Sequence, residues 1–354
     1  MRFPSVVRPL FIVAAVIILL AGLHFAGSIV VPLLISAFAA SLLHPVYSGL
    51  LRRRVPAVVA LLLTAGVLVG VFVFLVLLVG VSINAMLAGL DSLEVQLTQQ
   101  QENLQAALAN VQQSAAFQQV LSVVNPKALV TLFATMLGAV VEIVTLSLLI
   151  LVVTAFLLME GSRFKARMVR AFGAEHPVTV KTLTLIRVFI RYFGLRTIVN
   201  LITGVSMTVI LWLMGIPYAP LWGVLMFFMS YIPYIGIMIA VVPPLILTYA
   251  EYGAGMALLL IVLTIVLNGV AENVVSPIIM GKGLRVSPTI VFLAFIFWMW
   301  LMGSSAAFVA MPLTMAVLMV GAGFEETRRW VAMVATIPLP METPRQAPPE
   351  TQVV

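Results

Sequence analysis

Apolar residues run along this chain in blocks too long for one face of a soluble helix, and polar residues collect at the ends of the blocks. The first two blocks, Leu10 to Leu20 and Ile29 to Leu43, predict a retained helical hairpin: one helix over Pro9 to Ala26, a turn near Gly27-Ser28, and a second helix ending at Arg52-Arg53-Arg54. A third helix begins at Pro56 and stays apolar to about Leu87. Asp91 to Gln119 is then rich in Gln, Asn and Ala, with Leu97, Leu104, Leu108 and Val111 on one helical face, the pattern of an amphipathic arm outside the bilayer. A fourth apolar helix returns over Ala128 to Met159. Arg163, Lys165, Arg167, Arg170, Lys181, Arg187, Arg191 and Arg196 follow it, a basic segment expected to form amphipathic helices at the lipid surface.

The second half is broken rather than continuous. A fifth helix spans Thr197 to Met214 and turns at Gly215 to Pro220; Leu221 to Tyr249 is apolar but carries Pro233 and Gly236 near its middle. Ala254 to Pro277 is another helix, and Pro288 to Val320 is interrupted at Gly303-Ser304-Ser305. If each broken run crosses once, Lys282 and Arg285 lie outside. If each folds back, every Lys and Arg except Lys127 collects on the cytoplasmic side, and the central breaks favour this re-entrant form. A shift of 68 positions aligns Pro220 with Pro288, brings Gly236 beside Gly303, and aligns Pro244-Leu245 with Pro312-Leu313 and Asn200 with Asn268. That spacing suggests an inverted repeat, with substrate held near the midplane where the broken helices face each other.

Composition turns this pattern into a class. The residues are 63% hydrophobic and only 9% charged, so the fold class is an all-α polytopic membrane protein. About six spanning helices plus two broken hairpins are expected, eight apolar segments in all. The net charge of +7 sits beside apolar spans, where retention of Lys and Arg on the cytoplasmic side explains it without a nucleic acid. There is no cysteine, and His24, His44 and His176 are scattered, so neither a thiolate metal site nor a histidine cluster is expected. No Walker loop, zinc-protease motif or nucleophile constellation appears. The chain reads as no enzyme, with no cofactor and with transport driven by an ion gradient or by none.

Chemistry is expected at the breaks and between them. Tyr231, Pro233, Tyr234 and Gly236 give the first break two hydroxyls and freed backbone groups; Gly303, Ser304 and Ser305 do the same at the second. Asn268 and Asn273 flank Glu272, a carboxylate in an apolar helix that could carry a proton or a cation against them. Glu142, in the fourth helix, lacks such neighbours and reads as a packing or interfacial residue.

Tyr231-Ile-Pro-Tyr-Ile-Gly236, Asn273-Val-Val-Ser-Pro277 with Gly281, Pro288, and Gly303 followed by Ala310-Met-Pro-Leu313 resemble the autoinducer-2 exporter family of bacterial membrane proteins. The resemblance covers most of the chain in layout and concentrates between Thr197 and Phe324. It implies a secondary transporter that exports a small polar signal by alternating access. Some members are described as sodium or lithium/proton antiporters, which would centre here on Glu272; a non-transporting membrane scaffold is a third reading. The resemblance also implies a homo-oligomer, such as a pentamer, in the bacterial inner membrane; Arg2, Arg8 and Arg52-Arg53-Arg54 read as marking one shared side, the cytoplasm, where both termini are expected. Gly236-Ile237 and Ala240 stand where the family often has Gly-Pro and a further Gly. Trp298-Met-Trp300 and Ala306 stand where it has glycines, so the exported molecule need not be shared. The resulting domain plan has five parts: 1–54 as the N-terminal hairpin, 55–160 as two long helices carrying the arm at 89–127, 161–196 as the basic segment, 197–324 as the transport core, and 325–354 as a disordered tail.

Overall fold

The computed structural model describes residues 7–107, 125–232, 235–280, 285–322 and 325–336. Leu108 and Val111 of the arm, Pro233 and Tyr234 of the first break, Gly281 and Lys282, and the proline-rich tail lie outside them, as does the side chain of Glu142.

Helix α1 runs without a turn from Val7 to Arg52 and carries Pro32 and Pro45 inside it. This corrects the expected hairpin at Gly27-Ser28. Gly27 is small for another reason: a Cβ there would stand 2.9 Å from the Met302 Cα, so the glycine lets α1 press against a distant helix. Arg8 and Arg52 consequently occupy opposite ends of one helix, about 66 Å apart at 1.5 Å per residue, and do not mark a shared end as the hairpin required. Helix α2 covers Ala57–Ala88, and its inward stripe is narrow, with Ala60, Thr64, Val79, Ser82, Ile83 and Met86 buried. Large apolar residues such as Val58, Leu62, Phe74, Leu77 and Val81 face outward, the pattern of a helix whose solvent is lipid.

The arm begins with helix α3, Leu90–Ala107. Leu93 and Leu97 turn inward into the main core while Val95 is exposed, so this end of the arm lies against the body. Helix α4 is a single rod, Pro126–Phe172, capped by Asn125, whose side chain accepts from the amides of Lys127 and Ala128. Helix α5 follows at Pro177–Leu213. The basic segment is therefore the projecting ends of α4 and α5, with exposed Arg163, Lys165, Arg167, Arg170, Arg187 and Arg191, and not a separate layer of surface helices.

Helix α6, Ala219–Met229, packs back along α5 more extensively than any other pair of elements. Gly204 and Gly223 make this possible, since a Cβ on either would stand 2.6 Å from the other's carbonyl oxygen. Beyond the first break comes α7, Ile235–Val270, bent sharply at Gly253 (φ 77°, ψ −172°). The Tyr252 hydroxyl donates to Gly215 O at 3.1 Å, so the chain from Gly215 to Tyr252 departs and returns to the same place. A π-helical turn, Ala271–Val275, and a short α8, Ser276–Met280, close this limb.

Helix α9, Pro288–Met302, ends at Gly303 (φ 90°), followed by a 3₁₀ turn over Ser304–Val309, α10 over Ala310–Ala322 and α11 over Glu325–Val334. The Trp298 indole donates to Thr314 Oγ1 at 2.9 Å, tying the two limbs of the second break. Two-residue strands, β1 Arg285–Val286 and β2 Ala335–Thr336, pair antiparallel, so this segment too begins and ends together. Among the described residues, five helical stretches are long and apolar enough to cross a membrane, with shorter apolar stretches between them, two of which belong to the single helix α4.

Candidate functional site

Pro233 has no N–H, so Met229 O cannot take the amide four residues ahead and instead accepts from Ile232 at 2.9 Å. Gly236 then sits so close to this turn that a Cβ would stand 1.7 Å from Met229 O. Ser230 O finds its partner on another helix. The Arg196 guanidinium donates to it at 2.7 Å, and donates to both carboxylate oxygens of Glu272 at 2.8 and 3.1 Å.

One buried cation thus holds the first break and the π-helical turn of another limb at once. Its side chain is 9% exposed, while that of Glu272 is 39% exposed, so the pair is dry on the arginine side and open on the carboxylate side. Beside it, the Thr197 hydroxyl donates to Phe193 O at 2.7 Å, which leaves its oxygen to accept from the Tyr231 hydroxyl at 2.6 Å. The Tyr231 ring packs edge-on to Phe38 of α1 and to Phe227. Arg196 stands within α5 immediately before Thr197, where the apolar part of that helix begins.

Of the sequence-predicted residues, Tyr231 and Glu272 are brought together, through Arg196 and Thr197. Asn273 is exposed, and its amide donates to Gly269 O at 3.0 Å on its own helix, so it does not partner Glu272. Asn268 is half-buried. The second break is held by α1: His24 Nδ1–H donates to Leu301 O at 2.8 Å, and Gly27 abuts Met302. Ser304 is exposed and Ser305 half-buried. The two breaks meet α1 at Phe38 and at Gly27, eleven residues or about 16 Å of helix rise apart.

A profile describing the AI-2E family transporter matches residues 13–321, which take in α1, both breaks, Arg196 and Glu272. The chain belongs to the AI-2E transporter family. Relatives agree. A Haemophilus influenzae protein, designated only in general terms for transport, is 29% identical over 336 residues, 93% of this chain and 97% of its own. The "AI-2 transport protein TqsA" of Escherichia coli (strain K12) is 29% identical over 301 residues, 85% of this chain and 88% of its own. YhhT of the same strain, again designated only for transport, is 30% identical over 302 residues, 85% of this chain and 86% of its own. The AI-2E protein described here is a membrane transporter and not an enzyme.

Three residues of this AI-2E site escaped the sequence reading. Arg196 had been grouped with the exposed basic residues, yet it is buried, and its place at the end of a run of basic residues gave no sequence signal of this. Thr197 carried no signal. Asn200, noted only as a match in the repeat, is 0% exposed, and its Nδ2 and Oδ1 have no partner among the described residues.

Proposed function

We propose that this chain is a secondary transporter exporting a small polar organic solute of the autoinducer-2 kind, with the Arg196–Glu272–Ser230 bridge as its inner gate. The observation that carries this is a single buried guanidinium joining the first break to the π-helical turn, with Ser230 34 residues and Glu272 76 residues from Arg196 in sequence. Alternating access needs an element with two discrete arrangements, and a bridge that can part at the half-exposed carboxylate supplies one.

Tyr252 donating to Gly215 O, and the pairing of Arg285 with Thr336, support two re-entrant hairpins. In this topology the basic ends of α4 and α5, Arg285 and the C-terminus lie on the cytoplasmic side of the bacterial inner membrane. Helix α1, crossing once, then carries its N-terminus to the opposite side from Arg52–Arg54, in place of the shared side expected from a hairpin. The inverted repeat and a homo-oligomer, such as a pentamer built on the outward apolar faces of α1, α2 and α4, complete the proposal.

Export is tested in proteoliposomes loaded with autoinducer-2: gradient-driven efflux is expected from wild type and is lost in Arg196→Gln. Liposomes in which wild type moves no autoinducer-2 or related solute under any ion gradient would end this reading. Sodium or lithium/proton exchange at Glu272 would have to displace Arg196 in every cycle, so the geometry favours the solute. Sodium-dependent proton movement that Glu272→Gln abolishes would reverse that preference. A scaffold would keep its phenotype with both breaks altered.

A further inference from the structure

We infer that Asn200 is a solute-binding residue, contacting an uncharged group that offers both a hydrogen-bond donor and an acceptor; this rests on the transporter reading above. Asn200 lies one helical turn beyond Arg196 and one turn before Gly204, so the three share a stripe of α5. Both neighbours face the α6 limb: Arg196 holds Ser230 O, and Gly204 abuts Gly223 and Phe227. Asn200 therefore faces the same limb between those tethers, just below the first break.

Buried side-chain amides in native proteins almost always find partners, and this one, wholly enclosed, has none among the described residues for either atom. Nearby polar groups are already engaged. Arg196 is committed to Glu272 and Ser230, and Thr197 to Phe193 and Tyr231. Charge at the site is balanced within the protein, so it has no net attraction for an ion. What remains is one amide with two donors and one acceptor. A hydroxyl or a hydroxy-carbonyl pair satisfies both ends; a bare cation can use only the oxygen.

The chemistry also orders the events. Asn200 has no opening to either side while the bridge is closed, so solute reaches it when Arg196 and Glu272 part, and closure encloses the solute against α6. A residue of this kind sets affinity more than turnover.

The test compares wild type, Asn200→Leu and Asn200→Thr in proteoliposomes loaded with autoinducer-2, with melting of each protein followed in parallel. Leucine keeps the branched outline of the side chain and removes both polar atoms, but its methyl groups are bulkier than the amide, so melting separates overpacking from lost binding. The KM for efflux should rise at least tenfold with Vmax within about twofold, and threonine, which keeps a hydroxyl, should fall between. Should Asn200→Leu melt low, Asn200→Thr alone carries the comparison. Wild-type efflux with unchanged KM in the variants overturns the role of Asn200 and leaves the transporter reading standing. No efflux from wild type overturns both.

Discussion

Replacing Glu272 with glutamine leaves the shape of the site intact and removes one charge from a bridge whose other member is nearly dry. Arg196 is 9% exposed and makes three contacts, two to Glu272 and one to Ser230 O. An arginine left wholly buried without its partner costs about 3–5 kcal/mol. Glutamine keeps one neutral acceptor, and the carboxylate side is 39% exposed to its surroundings, so the expected loss is about 2–3 kcal/mol. At roughly 2–4 °C per kcal/mol, melting should fall by about 5 °C or more. The assay is intrinsic tryptophan fluorescence during heating in lipid nanodiscs, with Trp222, 1% exposed in the core, as a natural reporter. Arg196→Met combined with Glu272→Met removes both charges and should recover most of the lost stability, because the desolvation cost disappears with the pair. Transport should stay lost in the double variant, since the gate no longer has its polar contacts. A drop below about 1 °C for Glu272→Gln, or a double variant melting below both single ones, would refute a buried bridge under strain of desolvation.

Gly223→Ala should destabilise by about 1–3 kcal/mol, because the added methyl would stand 1.8 Å from Thr208 Oγ1 and 2.6 Å from Gly204 O, a backbone atom that cannot yield; melting measures it. Gly253→Ala should cost about 1–3 kcal/mol from the φ of 77° and slow transport, because the bend brings Tyr252 back to Gly215; a neutral result in both melting and flux would contradict this. The cysteine-free chain suits cross-linking, and Arg285→Cys with Thr336→Cys should form a disulfide under mild oxidant, since paired antiparallel residues lie within disulfide reach. Gly27→Leu should separate α1 from Met302 and reduce transport more than Gly22→Leu, a position with open space beside it.

How far a residue could be read depended on the range of its interactions. Pro233 with Gly236 three residues on made the break after Ser230 legible, as Gly303-Ser304-Ser305 did the second, whereas Pro32 and Pro45 stand inside α1 without breaking it. Apolar run length marked most of the helices because the bilayer thickness is fixed. The same reasoning misread Gly27, since a glycine permits a turn and a close helix crossing equally, and only Met302, 275 residues further on, decides between them.

The sequence by itself determined that this is a helical membrane protein, that two of its apolar segments are broken, and that a carboxylate lies between the breaks. Those follow from covalent chemistry and local periodicity. Only the tertiary structure decided that Glu272 belongs to Arg196 and not to Asn273, that the first break is held by a guanidinium, and that Asn200 is enclosed with its amide unused. Partners 34 and 76 residues apart meet because α6 folds back along α5 on facing glycines and the π-helical turn returns to the same helix. Pairing across that distance is set by which helices touch, and no local pattern along the chain encodes it.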